Sequence, residues 1–357
     1  MFKVCIIGSG MIARSAHIPA YKAHMEDFEI VGIADINNAQ AEAVALEFGI
    51  KNVYTDVQEM LKEQKPDLVS VCAPNMLHKK YTMMALEHGA NVLCEKPLAF
   101  SYADAKEMFD LAKEKGKTLM ACQSLRFLPE RLAAFEQVKK GNVGEVYYAD
   151  FSRIRRRGIP MWGKFHIKEY SGGGALVDIG VHGIDSAVWL MGNPRPVSVF
   201  ASMQKIHTDE FGSAKSSGAL KENVSVKGFD PDEMNVESFA SGTVKFQNGA
   251  VLSFKVGWAA NLKEENNIIF SGIKSGIDIQ NHKIYSGADK TEELEITANG
   301  FSNEPFYGHF CLVENMAEVL KGKTQSFIKP EETLNVTAII EAAYRSAEKD
   351  CEVKVEI

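Results

Sequence analysis

The opening segment limits the fold more than any other stretch. Phe2-Lys3-Val4-Cys5-Ile6-Ile7 is an apolar, strand-like run, and Gly8-Ser9-Gly10-Met11-Ile12-Ala13 follows it directly and opens a helical pattern over 11–24. The same grammar repeats. Apolar runs at 29–34, 68–73, 91–94 and 118–122 alternate with helical patterns at 38–48, 57–63, 76–87 and 103–115. Strands this continuously apolar are strands covered on both faces. Asn37 and Ser101 stand where N-caps belong, and Gly49, Gly89 and Gly116 where helices stop. Strand–helix alternation at this spacing predicts right-handed βαβ crossovers and an open, doubly wound parallel sheet, an α/β fold.

After residue 123 the pattern changes. A helix over 130–140 leads to a strand over 146–153, and a long apolar helix over 175–191 is preceded by Ser171-Gly172-Gly173-Gly174. From Val197 onward strands dominate, with runs at 243–246 and 250–256 flanking the hairpin signal Asn248-Gly249. Further short strands are expected near 267–271, 276–279, 283–285 and 293–297. Two helices over 309–320 and 331–348 and a strand over 352–356 close the chain, and the polar stretch 205–235 reads as a surface excursion. The expectation is a first domain over 1–123 and an α+β domain over 124–357 with a mostly antiparallel, open sheet.

Length and composition agree with two domains. The chain has 357 residues, 45% hydrophobic and 24% charged, enough to bury a substantial core. Its 40 Lys and Arg against 47 Asp and Glu give a formal charge of −7, which argues against nucleic acid or an anionic membrane as partner. No apolar run has the length of a membrane span, and the N-terminal residues lack the pattern of a signal peptide. The six cysteines show no CxxC spacing and read as reduced thiols of a cytoplasmic protein.

Gly8-Ser9-Gly10-Met11-Ile12-Ala13 is a GxGxxA turn of the Rossmann type. Its first glycine permits the turn, its second lets a pyrophosphate approach the backbone, and its small last residue allows close helix–strand packing. Asp35 ends the second strand, where its carboxylate can accept from an adenosine ribose diol and repel a 2′-phosphate; NAD is therefore expected rather than NADP. Ala73-Pro74-Asn75 and Glu95-Lys96-Pro97 follow two further strands on the same carboxyl edge, the edge at which open parallel sheets bind ligands. Gly8, Gly10, Met11, Ile12, Asp35, Pro74, Asn75, His78, Glu95 and Lys96 are the candidate cofactor contacts. A capping or solvated role stays open for Asn75 and His78, and a surface position for Lys96.

Asp178 and His182, four residues apart in an apolar, glycine-rich helix, share one face. Polar groups in such a setting need a partner or a use. Metal binding by this carboxylate–histidine pair is the competing reading, but no HExxH motif or second ligand cluster accompanies it. Alcohol oxidation needs a base for the hydroxyl proton. A neutral imidazole serves near pH 7, and a lysine can where a desolvated, cationic neighbourhood favours its free amine. Lys96, His182 and Asp178 are the candidate catalytic and substrate-contacting residues, expected to grip one hydroxyl from two domains.

These motifs, in this order and spacing, resemble the glucose–fructose oxidoreductase/inositol dehydrogenase (Gfo/Idh/MocA) family over essentially the whole chain, including Trp258-Ala259-Ala260-Asn261. The resemblance implies an NAD-binding Rossmann domain and a second domain whose open sheet mediates a homo-oligomer, a dimer, tetramer or hexamer. It implies acid–base roles for Lys96 and His182, substrate hydroxyls held by Asp178, and a cis Lys96-Pro97 peptide beside the nicotinamide. Arg153-Ile154-Arg155-Arg156-Arg157-Gly158-Ile159-Pro160-Met161-Trp162-Gly163 is similar to a segment of members that oxidise sugars or glycosides, some at C3, with Arg156 and Trp162 as candidate substrate contacts. Arg126-Phe127-Leu128-Pro129 is similar to a segment whose arginine lies near the nicotinamide; Lys164, His166, Tyr170 and Asn261 are weaker candidates for the pocket wall. The implied activity is hydride transfer between NAD and a secondary hydroxyl of a sugar, glycoside or cyclitol. Alternatives are glycoside cleavage by transient oxidation and elimination with NAD recycled, and a non-catalytic dinucleotide-sensing regulator.

Overall fold

The computed structural model describes residues 1–160, 163–206, 231–297 and 304–357. Contacts divide the chain into two units, Met1–Leu128 with Ala298–Thr333, and Pro129–Thr297 with Leu334–Ile357. A single cut at 123/124 therefore does not describe the chain, because a late segment rejoins the first unit. That segment carries the helix Tyr307–Leu320, in which Tyr307, Phe310, Leu312, Val313 and Met316 are all buried in one core with Val4, Ile6, Leu93 and Phe127. Gly308 permits the contact: a Cβ there would stand 2.2 Å from the Ser124 carbonyl oxygen.

The sheet of the first unit is built from β1 (Phe2–Ile7), β2 (Phe28–Ala34), β3 (Val53–Tyr54), β4 (Leu68–Val71), β5 (Asn91–Cys94) and β6 (Leu119–Ala121). All are parallel, in the order β3-β2-β1-β4-β5-β6. Strand order reverses between β1 and β4, which opens a crevice at their carboxyl ends. The two expected N-caps are formed, since the side chains of Asn37 and Ser101 accept from the Gln40 and Asp104 amides. β3 is two residues long, too short to leave a periodic signal. The helix expected over 11–24 opens at Met11-Ile12, passes through a π-helical turn at Ala13–His17 and is α-helical again over Ile18–Ala23.

The second unit holds β7 (Val146–Ile154), β8 (Pro196–Gln204), β9 (Phe239–Phe246), β10 (Val251–Gly257), β11 (Glu265–Gly272), β12 (Ser275–Asp278), β13 (Lys283–Ser286), β14 (Lys290–Glu293) and β15 (Val353–Lys354). Their order is β14-β13-β12-β11-β7-β10-β9-β8-β15, antiparallel except where β7 and β10 run parallel. The β9–β10 hairpin turns at Asn248-Gly249, with Gly249 at φ +85°. β14 lies slightly before the strand expected over 293–297. The helix Val181–Leu190 lies on β7 so closely that a Cβ at Gly183 would meet the Phe151 ring at 1.9 Å. Most of the expected surface excursion (207–230) and Trp162 lie outside the described residues. Among the described residues no helix is long and apolar enough to cross a membrane. None of the six cysteines is in a disulfide, and five are buried.

Candidate active site

Strand register places the candidate cofactor motifs in one row. Ile7 pairs with Ala34 on one side and Val71 on the other, Val71 with Cys94, and Cys94 with Ala121. Gly8, Asp35, Cys72-Ala73, Glu95 and Cys122 therefore stand next to one another at the carboxyl edge. Gly8 has φ +95°, and a Cβ there would fall 2.6 Å from the Cys72 carbonyl oxygen, so only glycine fits the turn. A Cβ at Gly10 would meet nothing within 4 Å, which leaves the open space that a pyrophosphate needs over the backbone. Asp35 braces this turn: Oδ2 accepts from the Ser9 amide at 2.7 Å and the Ser9 hydroxyl at 2.8 Å, and Oδ1 from the Asn37 amide at 2.8 Å. It remains half-buried, as do Met11, Ile12, Asn75 and Lys96, while Pro74 is exposed. These residues fit a dinucleotide.

His78 is not a solvated helix residue. It is 1% exposed, with Nδ1 2.7 Å from the Pro97 carbonyl oxygen and Nε2 2.9 Å from that of Ala73. It thus links the turns after β4 and β5. Burial lowers its pKa against the upward pull of the Pro97 carbonyl, so the neutral ring carries one proton and donates to one carbonyl at a time. The Lys96-Pro97 peptide is cis. Arg126 is fully buried and its guanidinium pairs with Glu332, so this candidate cofactor residue joins β6's exit to the returning segment. Glu95 is also turned inward, at 6% exposure, onto His17 and His309.

In the second unit the expected helix over 175–191 divides. Leu176–Gly180 is π-helical and carries Asp178; Val181–Leu190 is α-helical and carries His182. Both side chains are half-buried. Asp178 Oδ2 accepts from the indole Nε1–H of the fully buried Trp258 at 2.9 Å. Arg153 and Arg155 lie within electrostatic reach of Asp178. Burial lowers Arg153 to about 10, Arg155 and Arg131 add to this, and Asp178 opposes it. Arg156, the arginine singled out in the sequence, is instead exposed, its backbone amide 3.3 Å from Glu264 Oε1. β7 ends at Ile154, so strand alternation gives no guide to where the following arginines turn. Arg157 bonds Asn261 at 3.2 Å, His166 is buried, and Lys164 lies over the exposed Tyr170 ring.

One residue of this site has no sequence signal. Glu237, 7% exposed, takes the free amides at the start of the π-helical turn: Gly174 N–H donates to Oε2 at 2.9 Å, Leu176 N–H to Oε1 at 3.0 Å, and Ala175 N–H to its carbonyl at 3.0 Å. Tyr344 donates to Oε1 at 2.8 Å. Burial raises the Glu237 carboxyl, against the lowering by these donors. The glycines before Asp178 serve this packing. A Cβ at Gly174 would lie 1.8 Å from the Glu237 carbonyl oxygen and one at Gly173 2.0 Å from the Tyr344 hydroxyl.

Residues 2–123 match the family model described as oxidoreductase family, NAD-binding Rossmann fold, and residues 132–278 match the Gfo/Idh/MocA C-terminal domain. The chain is 35% identical over 356 residues to D-glucoside 3-dehydrogenase of Escherichia coli K12, covering 99% of this chain and 97% of that protein. Levoglucosan dehydrogenase of Pseudarthrobacter phenanthrenivorans is 29% identical over 74% of this chain and 69% of its own. A solved levoglucosan dehydrogenase, in complex with NADH and levoglucosan, shares the fold with TM-score 0.80 at 21% identity, over 100% of both chains. The glycine turn, the row of motifs at the sheet edge and full-length relatedness lead to one conclusion: the chain belongs to the Gfo/Idh/MocA family of oxidoreductases, and the dinucleotide its first unit takes is NAD.

Proposed function

We propose that the chain is an NAD-dependent dehydrogenase for a secondary hydroxyl of a sugar or glycoside, with Lys96 and His182 as acid–base groups and Asp178 holding substrate hydroxyls. The observation that carries the substrate class is the full-length relatedness to D-glucoside 3-dehydrogenase. The first unit's edge row is assigned to the cofactor, and the second unit, roughly 124–357 without the returning segment, to the substrate and to self-association. Tyr148, Phe200 and Ile269, exposed on the sheet face away from the helix Val181–Leu190, support a homo-oligomer. Six cysteines outside any disulfide support a cytoplasmic setting.

Bound NAD+ supplies the hydride acceptor. The hydroxyl proton leaves to a base of this chain, and the half-buried His182 imidazole and Lys96 amine are the groups assigned to take it and return it in reduction. Asp178, fixed at Oδ2 by Trp258, orients the hydroxyl-bearing carbon and anchors a neighbouring hydroxyl.

The test is a panel of aldopyranosides, free sugars and inositols with NAD+ and NADP+, read by absorbance of the reduced cofactor and by the regiochemistry of the product. Turnover with NAD+ on a pyranoside is expected. Aglycone released with no net NADH would favour the oxidation–elimination route, and no reaction with any sugar would overturn the enzyme in favour of a sensing protein. Trp258→Phe removes one hydrogen bond to a carboxylate, worth about 1.5–3 kcal/mol. If that bond matters only when substrate is oriented, kcat/KM falls about 10- to 100-fold, measured beside an NAD+ titration that should not change.

A further inference from the structure

Glu95 is a buried charge that the chemistry above does not use. Its Oε1 accepts from His17 Nε2 at 2.9 Å and from His309 Nε2 at 3.1 Å, and its Oε2 from the Lys96 amide at 3.2 Å. The Cys122 thiol lies beside it, 3.9 Å from His17 Nε2. Behind His17, Nδ1 is 3.2 Å from the Ser70 hydroxyl, which is 2.7 Å from the Tyr21 hydroxyl. All of these side chains belong to the first unit, and none is more than 7% exposed.

The proton arrangement follows from the geometry. An ionised carboxylate oxygen only accepts, so both imidazoles carry their proton on Nε2, His17 accepts at Nδ1 from Ser70, and Ser70 accepts from Tyr21. Each donor then has an acceptor, and among the described residues no lysine or arginine side chain is recorded on the carboxylate. Burial pushes the Glu95 carboxyl up, yet the hydrogen bonds from His17 and His309 outweigh it and hold it well below the ordinary range, while burial keeps His17 neutral. A buried carboxylate held by imidazole donors is costly, and it sits in the row of candidate cofactor motifs, one residue before Lys96.

We propose that Glu95 sets the oxidation-state preference of the cofactor site: a fixed anion at the carboxyl edge that favours the cationic ring of NAD+ over the uncharged ring of NADH. The inference rests on the assignment of the Glu95-Lys96-Pro97 turn to the nicotinamide end of the cofactor. A charge that interacts with one redox form and not the other shifts their relative affinity and nothing else. The consequence is a site that loads NAD+ and releases NADH each cycle rather than retaining the reduced form.

The test is titration of the full chain with NAD+ and with NADH by calorimetry at pH 8, above the ordinary imidazole range. Glu95→Gln should move the ratio of the two dissociation constants about tenfold against NAD+. Glu95→Asp breaks the same hydrogen bonds but keeps the charge, and should retain most of the wild-type ratio. If Glu95→Gln does not fold, Glu95→Met, which also removes the charge while filling the buried site, should move the ratio the same way by a similar factor. An unchanged ratio, including equal weakening of both cofactors, would leave Glu95 a packing group and overturn the inference. Failure of the wild-type chain to bind either cofactor would instead strike the assignment of the site. His17 Nε2, Glu95 Oε1 and Cys122 Sγ lie within 4.8 Å of one another, so metal content is measured on the same sample. No bound metal is expected; one equivalent of zinc would overturn the inference, because the dication would cancel the negative charge.

Discussion

Lys96→Ala is expected to lower kcat about 10³-fold while NAD+ still binds with an affinity within about threefold of wild type. The position of the residue is set by its backbone. Its amide donates to Glu95, and the turn that follows is joined through the Pro97 carbonyl to His78. Truncating the half-buried side chain leaves these backbone contacts in place. The loss then appears in the chemical step, and single-turnover kinetics with preloaded NAD+ separate it from binding. His182→Ala should show the same pattern. If both groups serve one proton transfer, the double variant loses little more than the worse single one, because removing either already stops the unit from working. Full turnover in Lys96→Ala would refute the acid–base assignment.

The row of motifs along the sheet edge was legible in the sequence because each of them immediately follows an apolar run. A doubly wound sheet sends every such position to one edge, and register then aligns Gly8, Asp35, Ala73 and Glu95 without further information. The groups that hold these motifs were not legible. His17 lies in a π-helical turn and His309 in a helix that returns from the far end of the chain, so their meeting at Glu95 is a tertiary fact with no local period. The same holds for Arg126, whose partner Glu332 comes with the returning segment. The apolar character of the helix Tyr307–Leu320 announces burial, but hydrophobicity carries no address, and the sequence reading left that helix with the second domain. In the second unit the spacing of Asp178 and His182 pointed to a shared face. The π-helical turn between them, the indole on Asp178 and the inward turn of Arg153 and Arg155 depend on strands paired across the sheet.

The glycines before Asp178 give the second large expected effect, and they separate two explanations of one motif. If Gly174 is small so that a ligand can approach, Gly174→Ala should raise KM and leave stability alone. The structure gives a different reason. The added Cβ would stand 1.8 Å from the Glu237 carbonyl oxygen and 3.0 Å from the Glu237 carboxyl carbon, and a backbone oxygen cannot move aside by changing rotamer. Relief requires pushing Glu237 away from the Gly174, Ala175 and Leu176 amides it caps, which strips a buried helix start of its acceptors. Overpacking together with lost hydrogen bonds should cost more than about 3 kcal/mol, or about 6–12 °C in Tm for a unit of this size. The displacement would also carry Asp178, whose amide donates to the Gly174 carbonyl at 3.0 Å, so kcat should fall along with stability. NAD+ affinity, which depends on the first unit, should be retained in the folded fraction. Glu237→Gln keeps one acceptor oxygen but sets an amide donor against a backbone N–H, and should show the same two losses at smaller size. A Gly174→Ala variant that is as stable as wild type and altered only in KM would assign the motif to ligand approach and remove Glu237 from the site.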